Sequence, residues 1–107
     1  MRVELHPDAA AELRAAALWY DERRAGLGDE LVDMVSAALP KIGEAPGSHP
    51  LWPGVSGTGV PVRRVRIRRF PYFLAFETHS QHVLVLAVAH AKRRPLSWLR
   101  RASQGPG

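Results

Sequence analysis

The hydrophobic residues in the first part of the chain recur at helical spacing. Residues 2–5 alternate between apolar and polar, which is typical of a short strand. Pro7 and Asp8 then mark a helix start, because proline suits the first helical position and an early acid complements the helix dipole. Apolar residues repeat every three or four positions from there to Tyr20. This pattern predicts an amphipathic first helix with an alanine-rich stripe.

A second helical pattern follows a glycine-containing break at 24–30. Its apolar positions run along one face from Leu31 to Ile42. Pro40 falls late in this pattern and is expected to kink or end the helix, because it lacks an N–H group and clashes with the preceding turn. Since the link between the two helices is short, they are predicted to form an antiparallel hairpin.

Period-two patterns in the second half predict three strands, at 62–70, 72–77 and 83–90. In the first of these, Val65 and Ile67 alternate with arginines, which indicates a half-buried strand. The last is apolar on both faces, as a covered central strand should be. The predicted order is therefore β-α-α-β-β-β. We predict an α+β fold in which an N-terminal helix hairpin packs on a small antiparallel sheet.

The segments between and after these elements are less regular. Residues 43–61 form a long loop rich in glycine and proline, which Leu51 and Trp52 are expected to hold against the body of the protein. A short helical turn is predicted at 96–101. The chain length of 107 residues is that of one domain. We assign that domain to residues 1–101 and expect 102–107 to be a disordered tail.

Composition excludes several classes of protein. The chain has no cysteine, so disulfides and cysteine-ligated zinc are excluded, and we predict neither a metal site nor a cofactor. The N-terminus lacks the apolar segment of a secretory signal. The longest apolar run, 83–89, is too short to span a membrane. These features favour a cytoplasmic protein that does not associate with membranes.

The charge distribution is strongly asymmetric. Residues 1–44 carry nine acids and five bases, whereas residues 45–107 carry ten bases and one acid, Glu77. Such asymmetry favours one face that binds polyanions or an acidic protein. The arginine-rich composition of a high-GC coding sequence is the alternative explanation for the total charge, but it accounts less well for the clustering.

Three arginines of the predicted strand 62–70 are the strongest physical feature of the sequence. Alternation places Arg64, Arg66 and Arg68 on one face, at roughly 7 Å intervals. Like charges so close together destabilise a strand unless something acidic offsets them. Salt bridges to the acidic helices are one explanation. Contacts with nucleic-acid phosphates or with an acidic protein segment are the others.

A second basic group follows the last strand. His90 lies where the apolar run ends, and Arg93, Arg94 and Trp98 come soon after it. Histidine titrates near neutrality and is the usual general acid or base. The alternative is that His90 merely ends the strand and hydrogen-bonds to the backbone. The three tryptophans of the chain are interpreted as core or interface anchors, although stacking on a base stays open for Trp98.

Several blocks of the sequence together resemble the RelE/ParE toxin superfamily of bacterial type II toxin–antitoxin systems. The similar blocks are WYDERRAGLGDELVDMV, RIRRFPYFLAF and VLVLAVAHAKRRPLSWLRR. The resemblance spans about residues 4–101. It implies a small α+β growth inhibitor of the plasmid-stabilisation type, neutralised by a cognate antitoxin. It leaves open whether the chain forms a homodimer or a toxin–antitoxin hetero-oligomer.

The superfamily contains two kinds of activity. RelE-like members cut mRNA on the ribosome, whereas ParE-like members inhibit DNA gyrase and are not nucleases. RNA cleavage needs groups that move protons as well as cations that stabilise the phosphorane. This chain has only two lysines, and neither lies on the predicted arginine strand. Its two tyrosines are far from the C-terminus. Arginine stays protonated and is a poor base.

These departures favour a ParE-like toxin. A ribosome-dependent mRNA endonuclease with His90 as acid or base is the enzymatic alternative, and a non-toxic nucleic-acid-binding module is a third. The residues predicted to bind the target or its phosphates are Arg64, Arg66, Arg68, Arg93, Arg94 and Trp98. The residues predicted to bind the antitoxin are Leu13, Tyr20, Val35 and Arg66.

Overall fold

The elements follow the predicted order. A computed structural model describes residues 1–55, 59–92 and 96–103. The strands are β1 (Arg2–Leu5), β2 (Val62–Arg66), β3 (Tyr72–Thr78) and β4 (His82–His90), and the helices are α1 (Pro7–Arg23) and α2 (Leu27–Glu44). Two 3₁₀ turns lie at Pro46–Ser48 and Leu96–Arg101. The predicted α+β class is confirmed, as is the predicted turn at the end of the chain.

The four strands form one sheet in the order β1-β4-β3-β2. β2, β3 and β4 are antiparallel neighbours, but β1 pairs with β4 in parallel. The sheet is therefore mixed, and the prediction of a wholly antiparallel sheet was wrong in this respect. The physical reason is that the helix hairpin crosses from β1 to β2 at the opposite edge of the sheet, and such a crossover returns the chain in the same direction. Because β2 and β4 run the same way, β1 is parallel to β4. The sequence pattern of β1 carries no information about its direction.

The helix hairpin depends on a close approach at Gly28. The His6 side chain caps α1 by accepting a hydrogen bond from the Asp8 amide at 3.0 Å. Gly26 begins the turn into α2 with a φ of 89°, a conformation that favours glycine. The Gly28 amide donates to Asp21 Oδ1 at 2.8 Å. A Cβ at Gly28 would lie 2.2 Å from the Ala17 carbonyl oxygen, so only glycine fits this contact between the helices.

Pro40 does not end α2, which continues to Glu44. The prediction that proline would end the helix was wrong, and a kink at Pro40 stays a prediction. Pro40 itself is exposed, whereas Ile42 and Gly43 on the next turn are buried. Packing of that last turn stabilises the helix, because tertiary contacts outweigh a local propensity.

The face of the sheet beneath the helices holds the larger core. Its buried side chains come from both helices, from the turn after β2, and from β3 and β4. They are Ala9, Ala16, Leu31, Val35, Ile42, Ile67, Phe70, Leu74, Phe76, Val83, Val85 and Val88. Burial of this apolar surface is the main force that holds the hairpin on the sheet.

The opposite face of the sheet, called here the second face, is also covered. Its buried side chains include Trp52 and Val55 from the loop and Trp98 from the C-terminal turn, packed on Val62 and on Ala75 of β3. The loop also pairs with the edge of β2, because the Trp52 amide donates to the Val62 carbonyl at 2.8 Å. The prediction that Trp52 holds the loop is confirmed, whereas the Leu51 side chain is exposed.

A β-bulge in β4 decides which residues reach each face. Ala75 pairs with Ala87 and Phe76 pairs with Val85, so Leu86 is an extra residue on β4. Leu86 and Ala87 therefore both belong to the cluster on the second face, although they are adjacent in sequence. The bulge is what allows an apolar run to supply both cores.

The C-terminal segment, residues 96–103, is held on the second face by two carboxylates. Glu77 is fully buried and accepts hydrogen bonds from the Ser103 amide at 3.0 Å and from the Ser103 hydroxyl at 2.7 Å. Arg101 donates to Glu12 of α1 at 3.0 Å and to the Leu86 carbonyl at 2.9 Å. These contacts include Ser103, which belongs to the predicted tail 102–107, whereas 104–107 lie outside the described residues.

The close contact at Gly28 predicts a large loss of stability in a Gly28→Ala variant. The added methyl group must displace backbone at Ala17 or the side chain of Asp21. We expect the free energy of unfolding to fall by about 1–3 kcal/mol, the usual effect of overpacking. Urea unfolding followed by tryptophan fluorescence measures it. Gly47→Ala is the control, since a Cβ there would have nothing within 4 Å. Equal stability of the two variants would contradict this role.

The buried Glu77 carboxylate predicts that a Ser103→Ala variant loosens the C-terminal segment. Loss of the hydroxyl leaves a buried acceptor short of a donor, which costs about 1–3 kcal/mol. We expect faster trypsin cleavage after Arg100 and Arg101 as well as lower stability. Ser36→Ala, at an exposed helix position, serves as the control. Unchanged cleavage in the Ser103 variant would show that the hydroxyl does not hold the segment.

Candidate functional site

The arginines of β2 divide between the two faces of the sheet. Arg64 pairs with Ala75 and Arg66 pairs with Phe73, so both lie on the second face. Arg63 lies on the opposite face, and its guanidinium donates to the His49 carbonyl at 2.7 Å. Alternation along the strand therefore predicted the shared face of Arg64 and Arg66 correctly.

Arg64 lies over aromatic rings, and none of the described carboxylates pairs with it. Its guanidinium carbon is 4.8 Å from the centroid of the Phe73 ring and 6.0 Å from that of Trp52. The residue is half-buried. Within the described residues, its guanidinium makes no hydrogen bond and no ion pair. Cation–π attraction is the contact that orients it.

Arg66 has a structural task in addition to its charge. Its Nη1 donates to the Phe70 carbonyl at 2.8 Å and to the Tyr72 carbonyl at 3.2 Å. These bonds hold the turn between β2 and β3, in which Arg69 has a φ of 71°. The Arg66 guanidinium carbon also lies 5.2 Å from the Phe73 ring centroid. Arg66 is exposed and keeps its charge available to a partner.

Arg68 does not lie on the strand, and its predicted place beside Arg64 and Arg66 was wrong. β2 ends at Arg66, and Arg68 is exposed in the turn that follows. The strand ends early because the Ile67 amide bonds to the Tyr72 carbonyl and the chain turns there. Next to it, Arg69 forms an ion pair with Glu30 of α2 at 3.5 Å. The alternative of salt bridges to the acidic helices thus holds for Arg69.

Trp98 lies in the core, and its predicted contact with a target was wrong. Its side chain is only 2% exposed, because it packs from the C-terminal segment onto the second face. There it contacts Trp52, with ring centroids 5.0 Å apart. A buried indole cannot stack on a base. Its Nε1 has no hydrogen-bond partner among the described residues. Trp52 and Trp98 together form the floor of the second face.

His90 lies on the face opposite to Arg64 and Arg66. It pairs with Tyr72, whose side chain packs on the core under the helices, and the two rings are 5.1 Å apart. His90 Nδ1 accepts a hydrogen bond from the Lys92 amide at 3.1 Å, as expected if the residue ends the strand. The sheet thus separates the only predicted proton carrier from the two strand arginines. Arg93 and Arg94 lie outside the described residues.

The residues predicted to bind an antitoxin differ in exposure. Val35 is 1% exposed, so its predicted contact with a partner was wrong. The side chain lies in the core between the helices and the sheet instead. Leu13 and Tyr20 are partly buried against the same core. The outer side of α1 instead exposes Leu18 (64%) and Trp19 (48%). In the sequence, Leu18 and Trp19 lie beside the predicted apolar stripe of the first helix, and this position could have indicated an exposed apolar surface.

The Trp19 ring is covered on one side by a cation from its own helix. The Arg23 guanidinium carbon lies 3.6 Å from the ring centroid, and Arg23 Nη1 donates to the Trp19 carbonyl at 3.0 Å. The Tyr20 ring meets Trp19 edge-on on one side and Phe70 on the other. The exposed indole is therefore held in a fixed orientation at the helix surface.

The two histidines at the turn between β3 and β4 are engaged within the protein. His79 Nε2 lies 2.9 Å from Glu77 Oε1 and its ring stacks on His82. The part of the chain that the structure describes contains no group of three or more His, Cys, Asp or Glu side chains able to hold a metal ion. Neither α1 nor α2 is long and apolar enough to cross a membrane. What the second face supplies is binding contacts, namely cations over aromatic rings.

Comparison with known proteins agrees with this fold. The model of the family described as the ParE toxin of type II toxin–antitoxin systems, parDE, matches residues 3–95. A solved structure described as the chromosomal ParDE toxin–antitoxin system from P. aeruginosa has a TM-score of 0.73 to this chain. The two are 16% identical, and the match covers 86% of this chain and 97% of the other. No curated protein matches the chain.

The family match covers most of the chain, and the structural match has the same two helices and sheet. Both agree with the resemblance found in the sequence. The protein belongs to the ParE toxin family.

Proposed function

We propose that this protein is a toxin that acts by binding an essential bacterial protein, DNA gyrase, and that a cognate antitoxin holds it inactive. Family membership supports the toxin role. The observation that favours binding over catalysis is the sheet itself, which separates His90 from Arg64 and Arg66. General acid–base catalysis needs the proton carrier within hydrogen-bond reach of the reacting group that the cations hold.

The outer face of α1 supports a protein partner such as an antitoxin. Leu18 and Trp19 are large apolar side chains that water reaches in the free chain. Apolar surface of this kind on a small domain marks an interaction site when its members lie together. The arrangement of Trp19 beneath Arg23 also resembles the aromatic and arginine anchors that dominate protein interfaces.

Expression of the chain alone in bacteria tests the toxin role. We expect growth arrest, with DNA breaks that depend on gyrase, and recovery when the neighbouring antitoxin gene is co-expressed. Sequencing of DNA ends and of transcript ends from the same cultures separates the two activities. Transcript ends that cluster at codon boundaries would support the endonuclease instead. Absence of growth arrest from a chain confirmed to be folded and expressed would refute both.

His90→Ala tests whether a proton carrier is needed. We expect growth arrest to persist at the same level of expression, because binding needs no acid or base. An endonuclease that used His90 would lose about 10²–10⁴-fold in cleavage rate, the usual contribution of general acid–base catalysis. His82→Ala, at the other end of β4, is the matched control. Loss of toxicity in the His90 variant alone, with stability unchanged, would contradict the binding role.

A further inference from the structure

We propose that Arg64, assisted by Arg66, is the anchor of a docking site on the second face for an acidic side chain of a protein partner. The proposal rests on the proposed function in one respect, which is that the partner is a protein. It adds a place and a chemistry, which neither the family nor the fold specifies.

Arg64 has an incomplete set of contacts. The residue is half-buried, and among the described residues its guanidinium has neither an acceptor nor a carboxylate. A charge withdrawn from water costs free energy unless a counter-charge compensates it. The carboxylate of Glu77, which shares this face, is fully buried and already binds His79 and Ser103. An incoming carboxylate would therefore satisfy a cation that the described part of the chain leaves unpaired.

The aromatic floor orients the guanidinium for such a partner. The Arg64 and Arg66 guanidinium carbons lie 4.8 and 5.2 Å from the same Phe73 ring centroid. Arginine that stacks on an aromatic ring keeps its in-plane N–H groups for bidentate contact with a carboxylate. The described cluster thus combines two cations over one aromatic ring.

The same geometry argues against single-stranded nucleic acid as the occupant. Proteins that bind such strands offer open aromatic faces on which successive bases stack, along a track of cations. Here both arginines lie over Phe73, and Trp52 is only 9% exposed. β2 contributes two arginines to this face, since Arg68 lies in the turn. An arginine over buried aromatic residues is instead the composition of a protein-interface anchor.

Binding of a short fluorescein-labelled peptide rich in glutamate, measured by anisotropy with the purified full-length chain, tests the proposal. We expect Arg64→Gln to weaken peptide binding about tenfold, because it removes a charge-assisted bidentate contact. Arg68→Gln and Arg14→Gln are the controls, since each changes the net charge by the same amount at an exposed position. We expect each control to change peptide affinity less than twofold. An equal loss in all three variants would overturn the proposal, since net charge alone would then explain the binding.

Two further measurements keep the outcome decisive. Arg64→Lys retains the charge without the planar fork, and we expect it to bind with an affinity between those of the original chain and Arg64→Gln. Arg64→Lys is used in place of Arg64→Gln if the Gln variant fails to fold. A peptide affinity of Arg64→Lys equal to that of the original chain would overturn the proposal. Oligothymidylate is the competing probe, and tighter binding of it, lost in the Arg64 variant, would overturn the choice of a protein partner. Growth arrest is scored separately, so that failure of the toxin role and failure of this site give different results.

Discussion

Both faces of β3 and β4 are buried, and this constraint determines most of the architecture. A small chain has one helix hairpin, and the hairpin covers one face only. The other face must be covered by whatever chain remains, which is the loop before β2 and the segment after β4. The long loop and the C-terminal segment, which look like connections in the sequence, therefore supply a second core. Their tryptophans provide large apolar area in few residues, as a thin covering layer needs.

The order and class of the elements could be predicted from the sequence because they depend on local periodicity. The apolar stripes of the helices and the alternation of Arg64 with Val65 are readable from neighbouring residues alone. The direction of β1 could not be predicted, since a strand of four residues has the same pattern in either orientation. The bulge at Leu86 could not be predicted either. When every residue of a strand is apolar, the sequence does not show where the alternation between the two faces shifts by one residue.

The candidate site was predictable only in its charge. Alternation correctly placed Arg64 and Arg66 together, but the end of the strand at Arg66, which removed Arg68 from the group, depends on the turn to β3. Trp98 belongs to a segment that Glu77 holds through Ser103, and Glu77 and Ser103 are distant from each other in sequence. The separation of His90 from the arginines follows from cross-strand register. The enzymatic alternative needed His90 and the arginines together, whereas the sheet separates His90 from Arg64 and Arg66.

The ion pair between Glu12 and Arg101 joins residues from opposite ends of the chain. Glu12 also accepts the Val88 amide at 3.0 Å, and Arg101 donates to the Leu86 carbonyl, so the pair closes the edge of β4 where β1 has ended. The same segment thus completes two surfaces, since it satisfies backbone groups of β4 beyond β1 and covers the second face with Trp98. A molecule in which residues 96–103 detached would expose unpaired backbone groups at this strand edge, and such an edge is a template for pairing with another chain.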